Sequence, residues 1–198
     1  MGRLIAIEGI DGAGKTTLAQ GLAAARPEVV VVREPGGAVV SERIRALVKD
    51  PDLTIDPRAE ALLFAAARAQ MVAEVVAPLL ARGAWVVLDR YVDSSLAYQG
   101  AGRALGVEAI AALNAFATGG LVADLTLYVR VEPEVGASRR GEQDPDRMEQ
   151  AGDAFFARVV AAYDALAAAA MDRYVVLDGA AAPDDVLAQA LHALNRLQ

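Results

Sequence analysis

The chain has 198 residues and a hydrophobic fraction of 55%, which suits one domain with a sizeable core and excludes disorder. It contains no cysteine and a single histidine, His192, so disulfides, thiolate chemistry, a His-based triad and a His-ligated zinc site are all excluded. The net charge of −7 argues against a nonspecific nucleic-acid surface but not against a small anionic ligand, which local dipoles and a few arginines can hold.

The first strand is expected over Leu4–Ile7. It is too short for a signal-peptide core and runs straight into glycine, and no run reaches the ~18 apolar residues of a membrane span. A cytoplasmic protein without membrane or nucleic-acid partners is therefore expected. Gly9-Ile10-Asp11-Gly12-Ala13-Gly14-Lys15-Thr16 follows and fits G-x-x-x-x-G-K-[ST], with Thr17–Ala25 able to form the next helix. Glycines let successive backbone N–H groups turn inward around phosphate oxygens, and the helix N-terminus adds its dipole. Lys15 would then reach the β- and γ-phosphates and Thr16 would ligate magnesium. The residues from Gly9 to Thr17 are thus the candidate nucleotide-binding set.

The second strand is expected over Val29–Val32, followed by Arg33-Glu34-Pro35-Gly36-Gly37 and by Arg45 on a short helix. A long helix is predicted over Pro57–Arg82, with Asp56 as N-cap, Pro57 at its first position, Glu60 in its first turn and Gly83 beyond its end. Phe64 and Arg68 share one of its faces at i, i+4. About fifty residues separate strands two and three, so the segment from about 34 to 82 reads as an insertion able to hold an acceptor against the sheet edge.

The third strand, Trp85–Leu88, ends at Asp89. An acid at the carboxyl end of a strand is where a nucleotide-bound magnesium is held, directly or through water. Arg90, Ser95, Tyr98 and Gln99 crowd the same end. Arginines around an aromatic ring suit a nucleoside monophosphate, with a guanidinium on phosphate and a ring against the base. Strands four and five are expected over Leu125–Val129 and Tyr174–Leu177, and the polar stretch from 138 to 148, with Arg139, Arg140 and Arg147, reads as a lid. All five strands are nearly continuous in apolar character, as parallel strands covered on both faces should be. Alternation with helices gives an α/β fold with a five-stranded parallel sheet. No Asn-Lys-x-Asp guanine motif is present, which argues against a GTPase. Kinases of several small acceptors and an acceptor-free P-loop ATPase remain open on these residues alone.

The chain resembles the thymidylate kinase family along essentially its whole length. The resemblance rests on Glu8-Gly9 before the loop, Arg33-Glu34-Pro35-Gly36-Gly37, Ala66-Ala67-Arg68-Ala69-Gln70, Asp89-Arg90-Tyr91, Ala97-Tyr98-Gln99-Gly100 with Gly102-Arg103, and Asp124-Leu125-Thr126-Leu127-Tyr128. It implies one domain over 1–198 with a nucleoside-monophosphate-kinase-like P-loop fold, transfer of the ATP γ-phosphoryl group to thymidine monophosphate for dTTP synthesis, Mg2+ as cofactor, and a homodimer built on helices that include the long one. It also implies that Phe64 stacks on thymine and that Arg68, Gln99 and Ser95 read the base edge. Arg45 and Arg90 would hold the acceptor phosphate, Tyr98 would lie against the deoxyribose, and Glu34, beside Pro35, and Asp11 would face the sugar hydroxyl and the magnesium-water shell. Some members carry an arginine in the phosphate loop where this chain has Gly12, and others supply it from the lid. The transition-state arginine here is accordingly expected to be Arg139 or Arg140. The chain departs from the pattern at Asp11, Ala38, Ala123 and Arg130, the last of which weakens any metal role near strand four.

Overall fold

The computed structural model describes residues 2–140 and 146–197. Five parallel strands, β1 (Arg3–Glu8), β2 (Val29–Arg33), β3 (Trp85–Asp89), β4 (Leu125–Arg130) and β5 (Tyr174–Asp178), form one sheet in the order β2-β3-β1-β4-β5. Helices α1 (Lys15–Ala25), α2 (Val39–Lys49), α3 (Pro57–Met71), α4 (Ala77–Ala81), α5 (Val92–Ser95), α6 (Val107–Thr118), α7 (Pro133–Arg140), α8 (Asp153–Ala169) and α9 (Pro183–Asn195) flank it. Most of the expected lid, from 141 to 145, lies outside the described residues, as does the side chain of Arg140.

Alternation along β1 shows why the sheet is covered on both faces. Ile5 and Ile7 join one core with Leu18 and Leu22 of α1, Val159 of α8 and Leu194 of α9. Leu4 and Ala6 point the other way, into a second core with Met71, Val72, Val76, Val86 and Leu88. Full burial of each large aliphatic contributes about 2 kcal/mol, so the central strands anchor both layers. The expectation that all five strands are covered holds only for β1, β3 and β4. On the edge strands Val30, Val31 and Val176 are exposed, because an edge strand projects past the helices that cover the middle of the sheet.

The long helix is one unit from Pro57 to Ala81, but not a uniform one. The Asp56 carboxylate accepts from Arg58 N at 2.8 Å, as its N-cap position requires. A π-helical stretch, Val72–Val76, then separates α3 from α4. Pro78 can donate nothing to the preceding turn and its ring crowds the carbonyl there, so the helix widens just ahead of it. Among the described residues this is the one helix long and apolar enough, by length and composition, to cross a membrane. Arg68 and Glu74 interrupt the apolar run in the sequence, and in the fold Met71, Val72 and Val76 bury that helix against the sheet.

Every strand ends in a charged residue on the same rim: Glu8, Arg33, Asp89, Arg130 and Asp178. Glu8 is wholly buried there. Its Oε1 accepts from Tyr91 N at 2.9 Å and Ser94 N at 3.2 Å, and its Oε2 accepts from Ser94 Oγ at 2.6 Å and Tyr163 Oη at 2.9 Å. Asp93 lies behind it, accepting from Arg173 and Tyr174. Burial, then repulsion from Asp93, raises the Glu8 carboxyl from 4.5 to about 7. A carboxyl whose pKa rises on folding binds its proton more tightly in the folded chain. Its contribution to stability is therefore fully present below about pH 4.5 and lost as pH rises through about 7. Glu8→Gln should make the unfolding free energy fall less between pH 5 and pH 8 than in the parent; identical pH slopes in denaturant titrations would rule Glu8 out as the source.

Candidate active site

The phosphate loop joins β1 to α1. Gly9, Gly12 and Gly14 take φ of 142°, 82° and 98°, values that side-chain-bearing residues avoid. Lys15 opens α1, and its Nζ donates to Ile10 O at 2.8 Å across the loop. Burial first, and the neighbouring Arg90 next, lower the Lys15 ammonium to about 8, a cost that an incoming polyphosphate would offset. Thr16 Oγ1 donates to Asp89 Oδ2 at 2.8 Å. The described residues contain no group of three or more acidic or histidine side chains able to hold a metal alone. Two hard oxygens in contact are instead the set that magnesium uses when phosphates and water complete its shell. Thr16 and Asp89 fit that ion.

The loop also touches α7 backbone to backbone. A Cβ on Gly12 would fall on Gly136 O, and one on Gly136 would come within 2.7 Å of Asp11 O. Both positions must therefore be glycine, and no side chain of any kind can leave the loop at Gly12. One turn beyond Gly136 stands Arg139, whose guanidinium donates to Gly179 O at 2.7 Å after β5. It lines a cavity of about 650 Å³ formed with the phosphate loop and the start of α9.

A second cavity, of about 160 Å³, opens on the other side of Lys15. Asp11, Lys15, Thr16, Glu34, Pro35, Arg45, Phe64, Arg68, Asp89, Arg90, Ser95, Tyr98 and Gln99, all expected at the site, line it together. The two cavities share Asp11, Lys15 and Thr16. Arg90 sits in the left-handed region at φ 74°, a strained backbone for a non-glycine residue. That turn aims its guanidinium at Gly9 O (2.8 Å), Ser94 Oγ (3.1 Å), Asp11 Oδ1 (2.8 Å) and Tyr98 Oη (3.2 Å). Against burial, which raises it, Arg90 and Lys15 hold the Asp11 carboxyl well below the usual carboxylate range. Arg45 donates to Pro35 O at 3.0 Å. Phe64 both packs on the core and faces the cavity.

Arg68, expected to read the base edge, is already held by protein partners. It is 1% exposed. One terminal nitrogen donates to Ser95 Oγ at 2.9 Å and to Asn114 Oδ1, the other to Tyr91 O at 3.1 Å and to Glu34. Its Nε, like Glu34 Oε2, is buried without a hydrogen-bond partner. Glu34, which lines the cavity, is held in this buried ion pair, and burial raises its carboxyl while Arg68 opposes the rise. Arg147, in the stretch expected as a lid, is tied down by protein partners. It donates to Val48 O at 2.9 Å and pairs with Glu60 at 2.6 Å, on the acceptor side and away from the phosphate loop. Arg130 pairs with Glu132 and Asp164.

Residues not expected at the site are Glu60, Glu8, Lys49, Asp146 and Met148. Glu60 is completely buried and accepts from Gln99, Arg103 and Arg147, although in sequence it is an ordinary first-turn acid. Lys49 pairs with Asp146 at 2.6 Å, and both line the smaller cavity with Met148. Nothing local in the sequence joins these positions, whereas Glu8 stands at the head of the loop motif.

Comparison with known proteins agrees with this geometry. The family model described as thymidylate kinase matches residues 7–190. The thymidylate kinase of Latilactobacillus sakei is 45% identical over 203 residues, covering 98% of this chain and 95% of that protein. That of Deinococcus radiodurans is 45% identical over 201 residues, covering 98% and 97%. Among solved structures, the thymidylate kinase of Ehrlichia chaffeensis superposes with a TM-score of 0.79 at 27% identity, covering 98% of each chain. With a phosphate loop, a strand-end acid and an arginine-lined acceptor cavity meeting at one lysine, the chain belongs to the thymidylate kinase family.

Proposed function

We propose that the chain transfers the γ-phosphoryl group of ATP to thymidine monophosphate, releasing ADP and thymidine diphosphate. The observation that carries this reading is the meeting of two cavities at Asp11, Lys15 and Thr16. A donor in the larger and an acceptor in the smaller bring the γ-phosphorus and the acceptor oxygen to the same lysine.

The chemistry needs little from a general base. The acceptor phosphate has a second pKa of about 6, so its attacking oxygen is already ionised at neutral pH. The bond to the ADP oxygen breaks as the bond to the acceptor oxygen forms, and the remaining task is to align two anions and neutralise them. Lys15 and the inward N–H groups of Gly9 to Thr17 hold the donor phosphates. Arg90 and Arg45 hold the acceptor phosphate, and Arg90 is aimed by its strained turn. Thr16 and Asp89 would hold magnesium, which would supply further neutralisation of phosphate charge. Phe64 and Tyr98 wall the nucleoside, while Ser95, Gln99 and Arg68 line the cavity at its base. Glu34 acts by holding Arg68, and Asp11 by holding Arg90. Since the loop can release no side chain at Gly12, the transition-state charge falls to an arginine of α7, Arg139 or Arg140, and Arg139 would have to leave Gly179 O to reach it.

We also infer a homodimer. Leu62 on α3 and Phe116 on α6 are 57% and 89% exposed on two helices packed against each other, an apolar surface of the kind that homodimers bury. Light scattering at micromolar concentration should give twice the chain mass; a monomer at every concentration would overturn this.

The decisive assay is ADP release from magnesium-ATP with each nucleoside monophosphate and with none. Rapid turnover with thymidine monophosphate over a low background is expected, and equal ADP release without an acceptor would overturn the reading. Two variants separate the arginines. Arg90→Ala should lower kcat by about 10²-fold or more while the Kd for ATP changes little. Arg139→Met or Arg140→Met should lower kcat by on the order of 10³ with the KM for the acceptor unchanged. A matching loss of ATP affinity in either variant would refute its assigned role.

A further inference from the structure

Glu60 is placed to do more than tie helices together. It is 0% exposed, and its Oε1 accepts from Gln99 Nε2 at 2.8 Å and Arg103 Nε at 3.2 Å. Its Oε2 accepts from Arg103 Nη2 at 3.1 Å and pairs with Arg147 Nη1 at 2.6 Å. Both oxygens face guanidinium N–H groups, which can only donate, so each Glu60 oxygen acts here as an acceptor. The atom of Gln99 that faces Glu60 is therefore its amide nitrogen, by chemical necessity. The carbonyl Oε1 is the polar atom left for the acceptor cavity that Gln99 lines.

A carboxamide is close to symmetric in shape, so an unrestrained glutamine offers a donor or an acceptor with similar ease. One locked from behind offers a single face. Neutral thymine carries an N3–H donor, which a carbonyl oxygen can accept. Cytosine has a lone pair at N3, and a carbonyl facing it leaves two buried acceptors opposed and unpaired, the kind of mismatch that discriminates strongly.

We propose that Glu60 is a positioning residue for base selection, holding the Gln99 carbonyl toward the acceptor ring so that a pyrimidine with an N3–H donor is admitted over one with a lone pair there. This rests on the acceptor reading given above. The arrangement of α3 and of the π-helical stretch Leu96–Gly102 that carries Gln99 serves it directly. Gly102 lets that stretch pack against Phe155, where a Cβ would come within 2.6 Å of the ring, and Arg103 follows at once to grip Glu60.

The test is a double-mutant cycle on the full chain, read as the ratio of Kd for deoxycytidine monophosphate to Kd for thymidine monophosphate, with the Kd for ATP as control. Glu60→Gln, nearly isosteric, frees the amide to turn. The ratio should fall by about tenfold or more while the Kd for ATP stays within about twofold. In a Gln99→Ala background the same substitution should leave the ratio unchanged, because its intermediary is gone. If Glu60→Gln weakens both nucleotides by one common factor, or still shifts the ratio without Gln99, the residue is merely structural and the proposal fails. Should Glu60→Gln not fold, Glu60→Asp, which withdraws the carboxylate by one methylene, is judged by the same cycle. A parent chain that does not phosphorylate thymidine monophosphate, or a Gln99→Ala variant with unaltered ratio, would overturn the acceptor pocket itself and the proposal with it, an outcome distinct from a failure confined to Glu60.

Discussion

The buried carboxylate at the end of the central strand organises the region where donor and acceptor meet. Glu8 takes its four hydrogen bonds from Tyr91 and Ser94 after β3 and from Tyr163 of α8. It is also the residue immediately before the phosphate loop. The turn around Arg90 is therefore bound to the loop from one side by Glu8, and returns a bond to the loop through Gly9 O and Asp11. These reciprocal contacts hold a non-glycine residue in the left-handed region, which costs of order 1–3 kcal/mol on its own. Remove the carboxylate and the turn loses the half of this clasp that binds its backbone N–H groups.

Charge is handled by enclosure rather than by abundance. A chain of net charge −7 gathers its cations where they matter: Lys15, Arg45, Arg68 and Arg90 all line one cavity. The buried guanidinium groups are matched by acids drawn from other segments, Glu34 to Arg68 and Glu60 to Arg103 and Arg147. Leaving any such charge unpaired in the interior would cost several kcal/mol. Asp11 and Glu34, which face the cavity, are thus partners of arginines more than ligands in their own right.

This explains which features were legible in the sequence. The strands, the phosphate loop, the Asp56 cap and the acid at the end of β3 are local patterns, set by periodicity and by turn chemistry, and the structure has them where they were expected. The cavity-lining set was legible through the family resemblance. Long-range pairing was not. Glu60 and Asp146 look like solvated acids in the sequence, and only folding shows one under two arginines and the other against Lys49. Arg68 illustrates the same limit, since its position was recognisable but not the four partners that occupy its terminal nitrogens. The widening of the long helix ahead of Pro78 likewise depends on how a turn relaxes around a missing donor.

The contact between Gly12 and Gly136 has an evolutionary consequence. Two glycines that must both lack a side chain form a joint condition on the chain, so the loop and α7 cannot diversify independently. An arginine at position 12 of this chain would require α7 to sit elsewhere, so it cannot be acquired here by a single replacement. An intermediate with the new side chain but the old helix position would be overcrowded at the point where ATP binds. The loop and α7 of this chain can therefore change only together, a condition set by packing alone.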